Sequence, residues 1–418
     1  MSLLADLLST VFERRARIGP ILRRDPRSTD ALVTDLMAAT SETAQLWLAR
    51  RILQRYAEMD DAARMAFFRH LAQSLTLDTQ GLRAALDGFE AAPSGASYRA
   101  VTAACEPPRL ELMRRFNAVP GATERLVRMR ADLLRLGRKD PLLGQLDVDM
   151  RHLLRSWFNR GFLVLRPISW ESPAHILEKI IAYEAVHAIH SWSYLRRRLQ
   201  PQDRRCFAFF HPAMPDEPLI FVEVALTRGI PGSIQALLAE DRVPMPPDDA
   251  DTAVFYSISN CQPGLAGISF GNSLIKQVVG DIKAALPGLK TFVTLSPIPG
   301  LVRWLDAQGL PWDASDDKGM TALAASYLLN AKREDGQPVD PVARFHLGNG
   351  ALVQAVHAGA DLSQNGMAQS GGVMVNYLYD LTKFERYHEA YAETREVKAA
   401  QPVRSLAAAR KAALAPAG

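Results

Sequence analysis

The chain has 418 residues, 48% apolar and 22% charged, with a formal net charge of +4, the balance of an ordinary globular protein of two or three domains. Its mild basic excess is spread along the sequence and nowhere interleaved with aromatics, so the pattern of a nucleic-acid-binding face is absent. No apolar run approaches the ~18 residues of a membrane-spanning helix.

Three cysteines, Cys105, Cys206 and Cys261, are odd in number, widely spaced and free of any Cys-x-x-Cys pair. That excludes zinc ribbons and thioredoxin chemistry and points to a reducing compartment. Near the N-terminus Leu3, Leu4, Leu7, Leu8, Val11 and Phe12, interrupted by Asp6 and Glu13, form an amphipathic helical stripe, not the apolar core of a signal peptide. The C-terminal Ala415-Pro416-Ala417-Gly418 is not a peroxisomal ending. The expected location is the cytoplasm of a prokaryote.

Residues 1–158 are rich in Ala, Leu and Arg and lack strand-like alternation. Breaks at Gly19-Pro20, Ala92-Pro93, Pro107-Pro108, Val119-Pro120 and Asp140-Pro141 divide them into seven or eight short helices, one over Glu42–Tyr56 and another over Thr123–Leu136. This bundle carries no obvious chemistry and is expected to serve as scaffold or subunit contact. A homodimer or homotetramer through stripes such as Leu3, Leu7 and Val11 follows.

From Phe162 the texture changes. A short strand is expected over Phe162–Leu165, and a helix starting at Ser172-Pro173 with Ser172 as N-cap. Strands follow over Cys206–His211 and Leu219–Ala225, then a helix near 232–238 and a Pro/Asp-rich linker at 244–251. Glu223 stands inside an apolar strand, either paired or on an edge. Glu184, His187 and His190 form Glu-x-x-His-x-x-His on an expected helix, where residues three apart could share a metal. With His-Glu-x-x-His absent and no further ligand downstream, no metal site is expected. Strands and helices without regular alternation predict an α+β domain over 159–418.

The most informative stretch runs from Phe255 to Gly300. Phe255, Tyr256 and Ile258 suit a strand; Gly264, Gly267 and Gly271 punctuate the loop after it. Leu274, Ile275, Val278, Val279, Ile282 and Leu286 then mark one face of a helix, and Thr291–Leu295 is a second strand. Glycines set at a helix N-terminus make a seat for phosphate. Ser296 ends the second strand, and Pro297 and Pro299 fix the turn after it. Taken alone, this is a serine in a tight Ser-Pro turn.

The segment Gly264-Leu265-Ala266-Gly267-Ile268-Ser269-Phe270-Gly271 followed by Leu274-Ile275-Lys276 resembles the pyrophosphate loop of the GNAT acyltransferase superfamily. The flanking Phe255-Tyr256-Ser257-Ile258-Ser259 and Leu295-Ser296-Pro297-Ile298-Pro299-Gly300 resemble the malonyl-CoA decarboxylase family more narrowly. So do Phe345-His346-Leu347-Gly348-Asn349-Gly350-Ala351 and Met374-Val375-Asn376-Tyr377-Leu378-Tyr379. With His211-Pro212 and Val224-Ala225-Leu226-Thr227, the ordered blocks span 160–380.

The resemblance implies an N-terminal helical bundle followed by a GNAT-like mixed α/β domain. It implies conversion of malonyl-CoA to acetyl-CoA and CO2, in malonate and fatty-acid metabolism, with no metal or prosthetic group. His346 would protonate the acetyl-CoA enolate, its ordinary pKa near ~6.5 suiting proton transfer at neutral pH. Ser296 would hydrogen-bond the malonyl group, at carboxylate or thioester oxygen. It is not in a Gly-x-Ser-x-Gly elbow, so acyl-serine chemistry is the weaker proposal. Backbone amides of Ala266, Gly267, Ile268, Ser269, Phe270, Gly271 and Asn272 would hold the CoA pyrophosphate. Asn376, Tyr377 and Tyr379 would support the site, although buried tyrosines need partners in any fold. Some family members carry a glutamate in this loop where this chain has Ser269. Two rivals remain: an acyl-CoA-dependent acyltransferase, which needs an acceptor site, and a non-catalytic acyl-CoA sensor.

Overall fold

In a computed structural model of the chain, residues 25–268 and 274–414 are described, the side chains of 410–414 excepted. They form two compact units, Met1–Asn159 with Gln262–Ser269, and Arg160–Cys261 with Phe270–Gly418. The stripe Leu3, Leu7 and Val11 and the break at Gly19-Pro20 lie outside the described residues.

The first unit has eight helices among its described residues: α1 (Thr29–Ala38), α2 (Glu42–Glu58), α3 (Asp61–Ser74), α4 (Thr79–Ala91), α5 (Gly95–Ala104), α6 (Pro108–Asn117), α7 (Ala122–Leu136) and α8 (Pro141–Trp157). Their starts are local chemistry. Ser28, Asp60 and Asp78 accept backbone N–H bonds at the starts of α1, α3 and α4, Ser94 and Ser97 form a capping box on α5, and Pro108 and Pro141 open α6 and α8. Each such cap is worth about 1 kcal/mol. Leu36, Ile52, Phe68, Phe116, Leu126 and Leu146 close the core, each full burial contributing ~1.5–3 kcal/mol. By contrast α4 and α5 bury no residue. They meet each other through the Phe89 and Tyr98 rings, 6.2 Å apart.

The second unit contains β1 (Val164–Ile168), α9 (Ala174–Tyr183), α10 (Trp192–Leu199), β2 (Arg204–Phe210), β3 (Ile220–Thr227), α11 (Ile234–Leu237) and β4 (Thr252–Asn260). There follow α12 (Leu274–Ala285), β5 (Thr291–Thr294), β6 (Ser296–Pro297), α13 (Leu301–Ala307), α14 (Asp317–Asn330) and α15 (Pro341–Gly348). The last elements are β7 (Leu352–His357), α16 (Gln364–Ser370), β8 (Met374–Leu378), α17 (Phe384–Thr394) and α18 (Gln401–Leu414). The sheet order is β1-β2-β3-β4-β5-β8-β6, with β7 on β8. Among the described strands only β4 and β5 pair in parallel, Val254 opposite Val293. A parallel pair needs a crossover, and α12 supplies it, burying Leu274, Ile275, Val278, Val279 and Ile282. The fold is thus α+β, a helical unit with a mixed-sheet unit.

Three expectations change, and one open alternative is settled. The first strand is Val164–Ile168, with Arg160–Phe162 a 3-10 turn; its register comes from pairing with β2, and Pro167 is tolerated on this edge. The helix after it begins at Ala174 with Pro173 as N-cap, because the Ser172 hydroxyl accepts from the Ser169 N–H and closes a turn instead. Helix α9 ends at Tyr183, so Glu184 is its C-cap and His187 and His190 share no helix face with it. The Glu184 side chain instead accepts bonds from the N–H groups of Val186 and His187 and from the Ser257 hydroxyl. Glu223 lies in central strand β3, fully buried and paired with Arg198 at 2.8 Å.

Candidate active site

Strand β5 places Thr294, and the period of two puts Ser296 on the same side. The Ser296 hydroxyl donates to Thr294 Oγ1 at 2.9 Å, which also accepts the Tyr377 N–H at 3.1 Å. Asn376 Nδ2 donates to the Thr294 carbonyl at 2.8 Å and the Pro231 carbonyl at 3.2 Å, while its Oδ1 meets His357 Nε2 at 2.5 Å. Asn376 therefore joins β8 to the end of β5 and keeps Ser296 from drifting.

His346 comes from α15, whose first turn is capped by Asp340 accepting the Ala343 N–H at 2.8 Å. Its Nε2 lies 3.2 Å from Ser296 Oγ, and its Nδ1 lies 2.8 Å from the Tyr379 hydroxyl. The ring stacks on Tyr377, centroids 4.6 Å apart. One proton arrangement satisfies every partner: Tyr379 O–H donates to Nδ1, Nε2–H donates to Ser296 Oγ, and Ser296 O–H donates to Thr294. Ser296 is 6% exposed and His346 3%.

Burial alone pushes the His346 pKa down to about 3, because among the described residues no carboxylate faces the ring to offset the lost hydration. The expectation of a pKa near neutrality is therefore corrected. At physiological pH the imidazole is neutral, and in this hydrogen-bond arrangement its proton sits on Nε2.

Tyr379 also lines a groove of about 460 Å³ between α12 and α17, with Ile275 and Val279 on its apolar side, Lys276 and Lys283 on α12, and Phe384 opposite. Lys276 Nζ lies 4.0 Å from the centre of the Phe384 ring.

The glycines of the loop have different tasks. A Cβ on Gly264 would stand 1.8 Å from the Val127 carbonyl oxygen, so close contact with α7 by itself requires glycine at Gly264. Arg130 of α7 donates to the carbonyls of Gly264 and Ala266 at 2.7 and 2.9 Å, and its Nε is held by Asp147 at 2.7 Å. Gly267 has φ +73°, the left-handed region where glycine carries little strain. Ala266, Gly267 and Ile268 belong to the first compact unit, whereas Ser296, His346, Asn376, Tyr377 and Tyr379 belong to the second. Ser269, Phe270, Gly271 and Asn272 lie outside the described residues.

Thr294, His357 and Asp340 were missed from sequence. Thr294 had a signal, being two residues before Ser296 on a strand. His357 and Asp340 had none, since only the tertiary fold brings them to Asn376 and to the helix of His346.

A family model described as malonyl-CoA decarboxylase C-terminal domain matches residues 161–318 and 313–416, and one described as malonyl-CoA decarboxylase N-terminal domain matches residues 76–158. The mitochondrial malonyl-CoA decarboxylase of Anser anser anser is 35% identical over 346 residues, 70% of this chain and 68% of that protein. That of Rattus norvegicus is 32% identical over 351 residues, 71% of this chain and 70% of that protein. Among solved structures, malonyl-CoA decarboxylase from Rhodopseudomonas palustris superposes with a TM-score of 0.86 at 48% identity, covering 91% of this chain and 100% of that one. The enzyme from Agrobacterium vitis gives a TM-score of 0.85 at 46% identity, covering 91% and 99%. Matched across both of its parts and along nearly the whole of solved relatives, the chain belongs to the malonyl-CoA decarboxylase family.

Proposed function

We propose that Ser296 and His346 form the centre at which this chain converts malonyl-CoA to acetyl-CoA and CO2. The observation that carries this reading is the 3.2 Å approach of Ser296 Oγ to His346 Nε2, two side chains fifty positions apart in sequence. In the reaction the carbon–carboxylate bond breaks and its electron pair passes to the α-carbon and, by conjugation, to the thioester oxygen. CO2 leaves, and one proton must reach the carbon. The thioester carbonyl is the electron sink, so the chemistry requires no metal or prosthetic group.

Neutral His346 delivers the proton from Nε2 while Nδ1 draws on the Tyr379 hydroxyl, and solvent restores the proton consumed. An enolate carbon is basic enough to take a proton from a neutral ring. The Ser296 hydroxyl turns from Thr294 toward the malonyl group and stabilises charge as it develops. The dryness of the site supports this, because a carboxylate taken out of water gains by leaving as neutral CO2. The groove beside Tyr379 receives part of the CoA arm, its two lysines suiting an anionic ligand. Backbone amides from Ala266 to Asn272 hold the pyrophosphate. The test is incubation of purified protein with malonyl-CoA alone. Acetyl-CoA and CO2 should appear without acceptor in wild type and far more slowly in Ser296→Ala or His346→Ala. An acceptor requirement would indicate acyl transfer, and intact malonyl-CoA a sensor.

The chain is further read as a homodimer or homotetramer through its helical unit. The α4–α5 pair, none of whose residues is fully buried within its own chain, supports this. A monomer by light scattering at micromolar concentration would end the idea. A prokaryotic cytoplasm is the proposed compartment, supported by the bacterial origin of the solved relatives and three unpaired cysteines. Among the described residues no helix is long and apolar enough to cross a membrane.

A further inference from the structure

Where β2 begins, α10 and the stretch after α11 enclose a pocket of about 300 Å³. Its lining includes Tyr194 and four arginines, Arg197, Arg198, Arg204 and Arg242. The Arg197 and Arg198 guanidinium carbons lie 5.0 and 4.7 Å from the centre of the Tyr194 ring.

Their charges are incompletely answered. Arg198 bonds Glu223 at 2.8 Å and the His187 carbonyl at 2.6 Å. Arg242 and Arg204 share the single carboxylate of Asp203, at 2.5 and 3.5 Å. Arg204 otherwise donates to the backbone carbonyls of Leu237 and Asp203, at 2.7 and 3.1 Å. Arg197 pairs with Glu240, whose side chain is exposed. Two buried carboxyls, with the exposed Glu240 at the pocket's rim, thus face four guanidinium groups, and burial raises Glu223 above the usual carboxylate range. Burial, with the Arg242 charge beside it, also holds Arg204 below the usual arginine range. The Nε atoms of Arg197 and Arg198 are both buried without an acceptor, and a buried donor left so costs ~1–3 kcal/mol, so the guanidinium groups of this cluster are not fully satisfied within the chain.

We propose that this pocket binds a small oxyanion, a phosphate or carboxylate group on a compact apolar stem, as a site separate from the Ser296–His346 pair. Guanidinium forks match both groups, and Leu238 and Ala239 supply an apolar wall. Arg204 stands opposite Ala225 at one end of the β2–β3 pair, and β3 and β4 separate β2 from β5. Three strand spacings of ~4.8 Å place the pocket about 14 Å to the side of the strand that leads to Ser296. An anion here ties α10 to β2 and the Arg242 loop without touching reacting atoms, as an effector would.

The test is calorimetry on the full chain saturated with CoA, so that phosphate seats used by substrate are already filled. Inorganic phosphate is titrated in one arm and succinate in the other. Saturable binding of one anion per chain is expected in at least one arm, and the arm that binds identifies the group. Arg197→Ala removes a free donor and Ala239→Phe fills the pocket. Each should weaken binding at least roughly tenfold, as loss of a charge-assisted hydrogen bond does, with malonyl-CoA turnover in anion-free buffer unchanged. No saturable binding in either arm, or wild-type affinity in both folded variants, would overturn the proposal.

Discussion

The Tyr379 hydroxyl lies 2.8 Å from His346 Nδ1, and because the Ser296 hydroxyl is already spent on Thr294, the arrangement that leaves no partner wanting has Tyr379 donating here. With Nδ1 accepting, Nε2 is the donor and faces Ser296. Tyr379→Phe keeps the ring that lines the groove and removes only the hydroxyl. A buried acceptor left unpaired costs ~1–3 kcal/mol, so the melting temperature should fall by a few degrees, and loss of the hydroxyl that supports Nδ1 should lower kcat roughly 10- to 100-fold with KM little changed. Steady-state kinetics on the folded variant checks this, and unchanged kcat would remove Tyr379 from the proton path.

His346→Ala should keep CoA affinity within a few-fold yet lower kcat by roughly 10²–10⁴, the span for a general acid. His346→Asn should behave alike, and Ser296→Ala should also lose kcat. The double variant should lose less than the sum of the two if both serve one step. Wild-type kcat in folded His346→Ala at saturating malonyl-CoA would leave the block around His346 a structural one.

Burial pushes the Asp340 carboxyl up to about 6, above the ~3.9 of an exposed aspartate. Folding therefore favours its protonated form. The stability this contributes is complete below the unfolded pKa and is lost as pH rises through 6. Asp340→Asn keeps a capping oxygen for α15 without the charge. Relative to wild type, its melting temperature should rise from pH 4.5 to pH 8, by an amount corresponding to at most about 3 kcal/mol. A difference that is flat or shrinks over that range would contradict the assignment.

The two described glycines of the loop should separate by measurement. Gly264→Ala drives a methyl into the Val127 carbonyl, an overpacking that costs ~1–3 kcal/mol, and should show chiefly as a lower melting temperature. Gly267→Val strains a left-handed position by ~1–2 kcal/mol and should weaken CoA, malonyl-CoA and acetyl-CoA alike by calorimetry. Unchanged CoA binding in folded Gly267→Val would mean that the pyrophosphate sits elsewhere.

Overnight chelator treatment should leave malonyl-CoA turnover untouched, since the thioester accepts the electrons. Loss of activity restored by zinc or manganese would reverse this and return attention to His187.

What the sequence determined by itself was chemistry that acts within a few residues. The prolines at 108 and 141 open helices because φ is preset there, and the apolar face of Leu274–Ile282 with strands on either side specifies the crossover between β4 and β5. The ordered blocks around Ser296 and His346 singled out the candidate site before any geometry. The tertiary structure alone decided what depends on distant partners. It set the Ser296–His346 contact and the Tyr379–His346 bond, since both join separate elements. It made His346 neutral, because desolvation belongs to the whole packed unit and not to a motif. It ended α9 at Tyr183, where Glu184 found partners in β4, so helical spacing across Glu184, His187 and His190 had no helix to act on. It also gave Gly264 and Gly267 different tasks, because a close approach to α7 leaves no trace in the spacing of glycines.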